Sequence, residues 1–108
     1  MRILLDACVP ERFARFLPGH EVTTVRRYLG STDFDDGPVL DRIPDGQFDA
    51  FVTVDKNLRF QQNLRGRPFR IVLMRAHSNA LEYLVPLVPL LLIALEQAAP
   101  GDLRVVGV

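Results

Sequence analysis

Cysteine and histidine are scarce in this chain, and their scarcity narrows the kinds of site it can build. The single cysteine, Cys8, excludes a disulfide framework and any zinc site that needs several thiolates. The two histidines, His20 and His77, stand far apart in the sequence, which argues against a zinc centre. A glycine-rich phosphate-binding loop is also absent from the sequence.

Long hydrophobic runs are absent as well. The longest uncharged apolar stretch covers the 13 residues 83–95 and contains Pro86 and Pro89, whereas a membrane span needs about 20 residues. This stretch therefore predicts a buried helix. The apolar run at Ile3–Leu5 is too short for a signal peptide, so we expect a cytoplasmic protein that does not contact a membrane.

Net charge is zero, with 13 basic and 13 acidic residues, so the overall charge does not indicate a nucleic-acid partner. The charges are nevertheless segregated. Residues 31–55 hold seven acids and one base, and residues 56–75 hold six bases and no acid. This segregation is compatible with a binding surface or with a solvated surface. The excess of twelve arginines over one lysine is also compatible with a codon-usage bias.

Five apolar runs predict the strands of one domain over residues 1–108. The runs do not alternate with polar residues, which is typical of strands covered on both faces in a parallel sheet. Segments with helical spacing separate them, and this alternation predicts an α/β fold with a mostly parallel sheet and helices on both faces. The runs are 3–5, 22–25, 51–54, 71–74 and 103–106, and the core is expected to include Ile3, Leu5, Phe51, Val54, Val72, Leu73 and Leu91.

Three local signals predict helices between the strands. Pro10 can open a helix on which Glu11 and Arg15 are spaced for an ion pair. A second helix is expected after the Gly-Pro pair at 37–38. Asn79 is expected to cap the last helix, since a glutamate follows it at capping-box spacing.

Two aspartates stand where predicted strands end, Asp6 after the first and Asp55 after the third. Ligands of open α/β sheets bind outside the carboxyl ends of the strands, so we expect both carboxylates to face one crevice; turn capping is the alternative. Asp36 supplies a third carboxylate or caps the following helix. Such a cluster favours a hard cation, Mg²⁺ or Mn²⁺.

Other residues near this crevice have weaker signals. Lys56 and Arg75 flank it by position, and either can hold a phosphate or pair with Asp6 or Asp55. The Asn79 loop is expected to face the same crevice. Cys8 is expected to be buried and inert, because its visible neighbour is an acid.

Five short motifs in this order resemble the PIN-like nuclease superfamily, in particular a family of short bacterial proteins regarded as toxins of toxin–antitoxin pairs. The resemblance extends over nearly the whole chain. The motifs are Arg-Ile-Leu-Leu-Asp at 2–6 with Pro10 following, Pro-Gly-His-Glu-Val at 18–22, Phe-Val-Thr-Val-Asp-Lys-Asn-Leu at 51–58, Gln-Gln-Asn-Leu at 61–64 and Arg-Ala-His-Ser-Asn at 75–79.

The resemblance implies a PIN-like three-layer α/β/α sandwich whose acids hold a divalent metal for RNA cleavage. Asp6 and Asp55 match the family pattern, and the middle acid has only Asp35 or Asp36 as its counterpart. The family often has an acid and an asparagine after the first aspartate. Here those positions are Ala7 and Cys8, so this chain has one carboxylate fewer.

The leading hypothesis is a Mg²⁺- or Mn²⁺-dependent endoribonuclease in which Asp6, Asp55 and Asp36 are catalytic and hold the metal. The arginines of residues 59–75 would bind the RNA backbone, and an antitoxin protein would be the cellular partner. The residues expected to contact RNA phosphates are Lys56, Arg59, Arg75 and Asn79.

Two alternatives come from other classes. The missing carboxylate favours a catalytically inactive PIN-like binding module for a nucleotide, an RNA or a partner protein. A receiver-like phosphoacceptor would use Asp55, but such domains need an acidic pair after the first strand and a lysine after the last. Here Ala7 follows Asp6, and Lys56 is the one lysine of the chain.

Apolar residues on the last helix exceed what one helix face normally needs, which predicts contact with a second subunit or an antitoxin. Burial of the helix on all sides by its own domain is the alternative. The residues concerned are Leu84, Leu87, Val88, Leu91, Leu92 and Leu95.

Overall fold

Five short strands form one sheet in the computed structural model, which describes residues 1–30, 39–57 and 66–107. Neighbouring strands are all parallel, in the order β2-β1-β3-β4-β5. Each strand overlaps one predicted apolar run, so the predicted parallel sheet is confirmed. The strands are β1 (Arg2–Leu5), β2 (Glu21–Thr24), β3 (Ala50–Thr53), β4 (Arg70–Arg75) and β5 (Leu103–Gly107).

The direction of winding reverses between β1 and β3. The chain passes from β1 outward to β2, then crosses back to form β3 on the opposite edge of β1. In open α/β sheets this reversal opens a crevice at the carboxyl ends of the two strands. Residues that directly follow β1 and β3 therefore occupy the usual ligand position.

Helical segments connect the strands, and several of them are short. We use the name C-terminal helical segment for residues 81–97, which comprise two α-helices joined by a 3₁₀ turn. The segments are a 3₁₀ helix at Glu11–Phe16, α1 at Val25–Leu29, a 3₁₀ helix at Val39–Arg42, α2 at Leu81–Leu84, the 3₁₀ turn at Val85–Leu87 and α3 at Val88–Gln97.

Successive residues of the central strands face two separate cores. In β1, Ile3 and Leu5 contact one core while Leu4 contacts the other, as the two-residue period of a strand requires. The 3₁₀ helix at 11–16 and the C-terminal helical segment close the first core. The second core is closed by residues of α1 and of the 3₁₀ helix at 39–42.

The helix predicted at Pro10 forms with 3₁₀ geometry. The Phe13 N–H donates to the Pro10 carbonyl at 2.9 Å, which is the i→i+3 pattern of such a helix. Phe13 and Leu17 are buried, whereas Phe16 is exposed.

The helix α1 was not expected from the sequence. The Thr24 hydroxyl accepts from the Arg27 N–H at 3.2 Å and caps its start, and Gly30 ends it with a φ of +74°. Arg27 also binds the Glu11 carboxylate at 2.6 Å. The predicted partner of Glu11, Arg15, is therefore wrong, because α1 brings a guanidinium closer.

The predicted core is confirmed with one exception. Val54 is half-buried, because it follows the last residue of β3 and no strand neighbour encloses it there. The two prolines of the C-terminal helical segment lie where their missing N–H groups are tolerated. Pro86 lies in the 3₁₀ turn, and Pro89 lies in the first turn of α3.

The apolar residues highlighted on the last helix face the domain's own core. Leu84, Leu91 and Leu95 are buried, and Leu87, Val88 and Leu92 are half-buried against the same core. Burial by the chain itself accounts for them, and association with a second subunit stays a prediction. Within the described ranges, none of the helices has the length and apolar character needed to cross a bilayer.

Two adjacent leucines of α3 provide a direct check of this packing. Leu91 is fully buried, whereas Leu90 is 49% exposed. We expect Leu91→Ala to lower the free energy of unfolding by about 2–5 kcal/mol, because it leaves a cavity in the core. Leu90→Ala should change it by less than about 1 kcal/mol, and urea denaturation measures both. Equal losses would contradict the orientation of α3.

Candidate functional site

The two aspartates predicted at strand ends line one cleft of about 400 Å³. Asp6 directly follows β1, where its backbone N–H donates to the Val52 carbonyl of β3 at 2.9 Å. Asp55 lies two residues beyond β3, and both carboxyl side chains are half-buried. The structure therefore brings Asp6 and Asp55 together at the reversal point, as their positions in the sequence predict.

Thr53 connects the two acids, although its position in the sequence gives no sign of this role. Its hydroxyl donates to Asp6 Oδ2 at 2.6 Å and accepts from the Asp55 N–H at 3.0 Å. The Thr53 side chain is fully buried. One hydroxyl therefore fixes the Asp6 carboxylate and the backbone that carries Asp55.

Backbone N–H groups also fix the orientation of the two carboxylates. Asp6 Oδ1 accepts from the Ala7 N–H at 2.8 Å, and Asp55 Oδ1 accepts from the Asn57 N–H at 2.9 Å. Asp6 therefore has a hydrogen bond on each oxygen. Asp55 Oδ2 makes no hydrogen bond within the part of the chain that the structure describes, so it is the oxygen best placed to take an added ligand.

Asn79 joins two loops of the cleft instead of capping a helix. Its Nδ2 donates to the Cys8 carbonyl at 2.9 Å, which connects the loop after β4 to the loop after β1. The helix α2 begins two residues later, with Ala80 in the N-cap position and no side-chain cap. The predicted cap is wrong, because the Ser78 hydroxyl accepts from the Ala80 N–H and Asn79 faces the other loop.

Cys8 is a half-buried, protonated thiol at neutral pH. Burial raises its pKa above the ordinary value for cysteine, and the negative charge of Asp6 raises it further. Its Sγ lies 3.7 Å from the Thr53 hydroxyl oxygen. A thiol held in this form is a poor nucleophile and a poor ligand for a hard cation. The expectation that Cys8 is buried is wrong in part, because its side chain is half-buried, and its inertness stays a prediction.

The predicted phosphate-binding residues do not all line the cleft. Lys56 is exposed and lines the cleft with Asn79. Arg75 is exposed at the end of β4, where the residues after it, not Arg75 itself, line the cleft. Arg59 and Asp36 lie outside the described residues.

Two arginines of the basic block 56–75 hold the fold together. Arg70 Nε donates to the Ala98 carbonyl at 2.7 Å, and Arg70 Nη1 donates to the backbone carbonyl of Asp49 at 3.4 Å. Arg67 binds the Asp41 carboxylate and the Leu40 carbonyl. The guanidinium groups of Arg67 and Arg70 are therefore already engaged, so we do not extend to them the expectation that the arginines of residues 59–75 contact RNA.

The donors in the cleft fit a Mg²⁺ or Mn²⁺ ion that keeps several waters. Such ions are commonly held by one or two carboxylates together with substrate phosphate, and Asp6 and Asp55 supply two. Among residues 1–30, 39–57 and 66–107, no three acidic, histidine or cysteine side chains converge on one point. Any third carboxylate would have to come from outside those ranges.

No protein-family model matches this chain, and neither curated proteins nor solved structures give a significant match.

The Thr53 hydroxyl provides a stability test of the site. Thr53→Val keeps the shape of the side chain but leaves Asp6 Oδ2 and the Asp55 N–H without their partner. We expect it to lower the free energy of unfolding by about 1–3 kcal/mol in urea denaturation. Thr53→Ser should recover most of the loss, because it keeps the hydroxyl.

Thr23→Val is the matched control for this measurement. Thr23 lies in β2, is half-buried, and has no side-chain hydrogen bond within the described residues. A loss at Thr23→Val as large as that at Thr53→Val would mean that the hydroxyl bridge adds nothing specific.

The Cys8 thiol provides a pH test. We expect its alkylation by iodoacetamide to rise with pH through a midpoint above that of a cysteine peptide, because the folded protein disfavours the thiolate. Asp6→Asn should lower that midpoint, since it removes the adjacent negative charge. A wild-type midpoint at or below the peptide value would contradict the described environment.

The same shift predicts how stability depends on pH. The pKa of Cys8 is raised in the folded state, so its contribution is fully present at neutral pH and is lost as pH rises above the ordinary thiol value. Cys8→Ala should make the fall in melting temperature above about pH 8.5 less steep.

Proposed function

We propose that this chain is a metal-dependent ribonuclease with a PIN-like three-layer fold and that its active site is the cleft of Asp6 and Asp55. The observation that carries the proposal is the pairing of two half-buried carboxylates from adjacent central strands at the reversal point of the sheet. Like charges held at one site repel each other. A divalent cation relieves that repulsion and would give the pair a function.

The two aspartates would hold the cation in different ways. Asp6 is held rigidly, because both of its oxygens accept hydrogen bonds. Asp55 keeps Oδ2 for the ion, since the Asn57 N–H occupies Oδ1. When bound, Mg²⁺ or Mn²⁺ supplies a Lewis acid and an activated water for attack on a phosphodiester.

The remaining residues of the cleft would position the RNA. The Lys56 ammonium group can bind a non-bridging phosphate oxygen, and it lies directly next to Asp55 in the sequence. Asn79 holds the rim by its bond to the Cys8 carbonyl. The toxin role and the antitoxin partner rest on the family resemblance alone.

A catalytically inactive binding module is the alternative supported by the carboxylate count. Two carboxylates converge within the described ranges, and Ala7 and Cys8 replace two polar residues of the family pattern. Such a module would bind RNA or a nucleotide in the same cleft without turnover.

A phosphoacceptor is favoured by a different observation, the strand order 2-1-3-4-5. That order also occurs in flavodoxin-like folds, and Asp55 follows the third strand, where a phosphorylated aspartate would be expected. Against it, Ala7 stands beside Asp6 and the final strand is Leu103–Gly107, which contains no lysine. Incubation with acetyl phosphate decides this question, and we expect no phosphate to be incorporated.

Cleavage of a labelled mixed-sequence RNA tests the ribonuclease proposal. We expect the wild-type protein to cleave RNA with Mn²⁺ and to stop in chelator, and we expect Asp55→Asn and Asp6→Asn to lose at least about 100-fold in rate, as for other transition-state charge partners. Asp45→Asn is the control, because Asp45 is an exposed acid in the loop that leads into β3. RNA loss that is identical in chelator or in Asp6→Asn protein would indicate a contaminating nuclease.

Thermal unfolding tests the metal site without relying on activity. Without metal, Asp55→Asn should raise the melting temperature, because removing one of two like charges relieves roughly 1 kcal/mol of repulsion. The amide oxygen of asparagine can still accept from Asn57, so the local turn is kept. For Asp6→Asn we expect a smaller gain, since this change also weakens the bond from Thr53.

The response to Mn²⁺ completes the thermal measurement. The ion should raise the melting temperature of the wild type and of Asp45→Asn but leave Asp55→Asn unchanged. If Asp55→Asn melts below the wild type in chelator and Mn²⁺ shifts neither protein, the metal-site proposal is wrong.

A further inference from the structure

A second cleft of about 430 Å³ adjoins the acidic one. The two clefts share Ala7, Cys8 and Asn79 as lining residues, so these three residues form a short wall between them. The second cleft extends from this wall toward the end of β2, where Thr24 lines it. A ligand that fills the acidic cleft and is longer than that cleft would enter this one.

The charge of the second cleft is positive. Arg12 and Arg26 line it, and neither makes an ion pair or hydrogen bond through its guanidinium group within the described part of the chain. Glu11 also lines the cleft, but its carboxylate is bound by Arg27 at 2.6 Å. Two unpaired guanidinium groups therefore remain beside two carboxylates across the shared wall.

We propose that Arg12 and Arg26 bind a backbone phosphate of single-stranded RNA next to the phosphate at the Asp6–Asp55 cleft. This inference rests on the proposed function and adds to it a substrate subsite. A polyanion gains little by approaching two carboxylates, so its affinity has to come from cationic groups nearby. Guanidinium groups suit that role, because their planar donors match phosphate oxygens in pairs.

Both arginines are exposed, which favours a role in ligand binding over a structural role. Arg70 and Arg67 are engaged by carbonyl and carboxylate groups of the chain itself. By contrast, the side chains of Arg12 and Arg26 have solvent and the cleft as their surroundings. Their substitution is therefore not expected to unfold the protein.

Fluorescence anisotropy with a labelled twelve-nucleotide single-stranded RNA, in chelator and at low salt, tests this subsite. The chelator prevents metal-dependent cleavage, so the readout is binding alone. We expect Arg12→Gln and Arg26→Gln each to raise the Kd several-fold. The double variant should flatten the dependence of log K on log salt by about 0.7, the value for one phosphate contact on a single strand.

Two further sets of variants serve as controls, one for the charge of the two arginines and one for their location. Arg12→Lys and Arg26→Lys keep the charge but lose the paired donors, so they should fall between the wild type and the glutamine variants. Arg104→Gln removes an exposed arginine on β5, at the far edge of the sheet, and should bind RNA as the wild type does. Melting temperatures of all variants should agree with the wild type.

Two outcomes would overturn the subsite. In the first, the glutamine variants bind RNA as tightly as the wild type. In the second, a poly-glutamate peptide of equal charge competes as well as the RNA, which would make the cleft a site for an acidic protein segment. Neither outcome affects the expected Mn²⁺-dependent shift in melting temperature. Failure of the subsite can therefore be distinguished from failure of the nuclease proposal.

Discussion

The enclosure of β1 is the constraint on which the site depends. Ile3, Leu4 and Leu5 are all fully buried, and β1 pairs with β2 on one edge and β3 on the other. The strand consequently has no freedom to slip, because a shift of one residue would exchange its two core faces. The residue after it, Asp6, is therefore fixed at the carboxyl edge of the sheet, directly beside the end of β3.

The strands and the position of both acids are predictable from sequence because their signals are local. A short apolar run with no alternation predicts a strand covered on both faces, and an aspartate at its end is visible without knowing the fold. The contacts that organise the site are different in kind. Thr53 bonds to Asp6 across 47 positions and Asn79 bonds to the Cys8 carbonyl across 71, and no local pattern announces either. A buried threonine is also an ordinary strand residue, so its hydroxyl carries no signal by itself.

The difference between local and long-range contacts also explains why a run of arginines in the sequence does not predict a basic surface. A block of arginines along the chain need not be a block on the surface, because each guanidinium first satisfies whatever carbonyl or carboxylate lies within reach. Arg70 lies beside the Ala98 carbonyl at the end of α3, and Arg67 lies beside Asp41. Arg12 and Arg26 come from separate segments, yet the 3₁₀ helix at 11–16 and the start of α1 place them around one cleft.

The neutral net charge of the chain is consistent with a site for a polyanion once the charges are considered locally. At short range the sign of the nearest unpaired groups decides the interaction, since charges beyond about 10 Å are screened by salt. The Glu11–Arg27 pair removes one acid from the second cleft, which leaves Arg12 and Arg26 to determine its sign. Across the wall formed by Ala7, Cys8 and Asn79, two carboxylates set the opposite sign. A phosphate chain is attracted on one side of this wall, whereas on the other it requires a cation between itself and the acids. Under the proposed function, affinity for RNA would therefore come from the second cleft, and dependence on a metal would come from the acidic one.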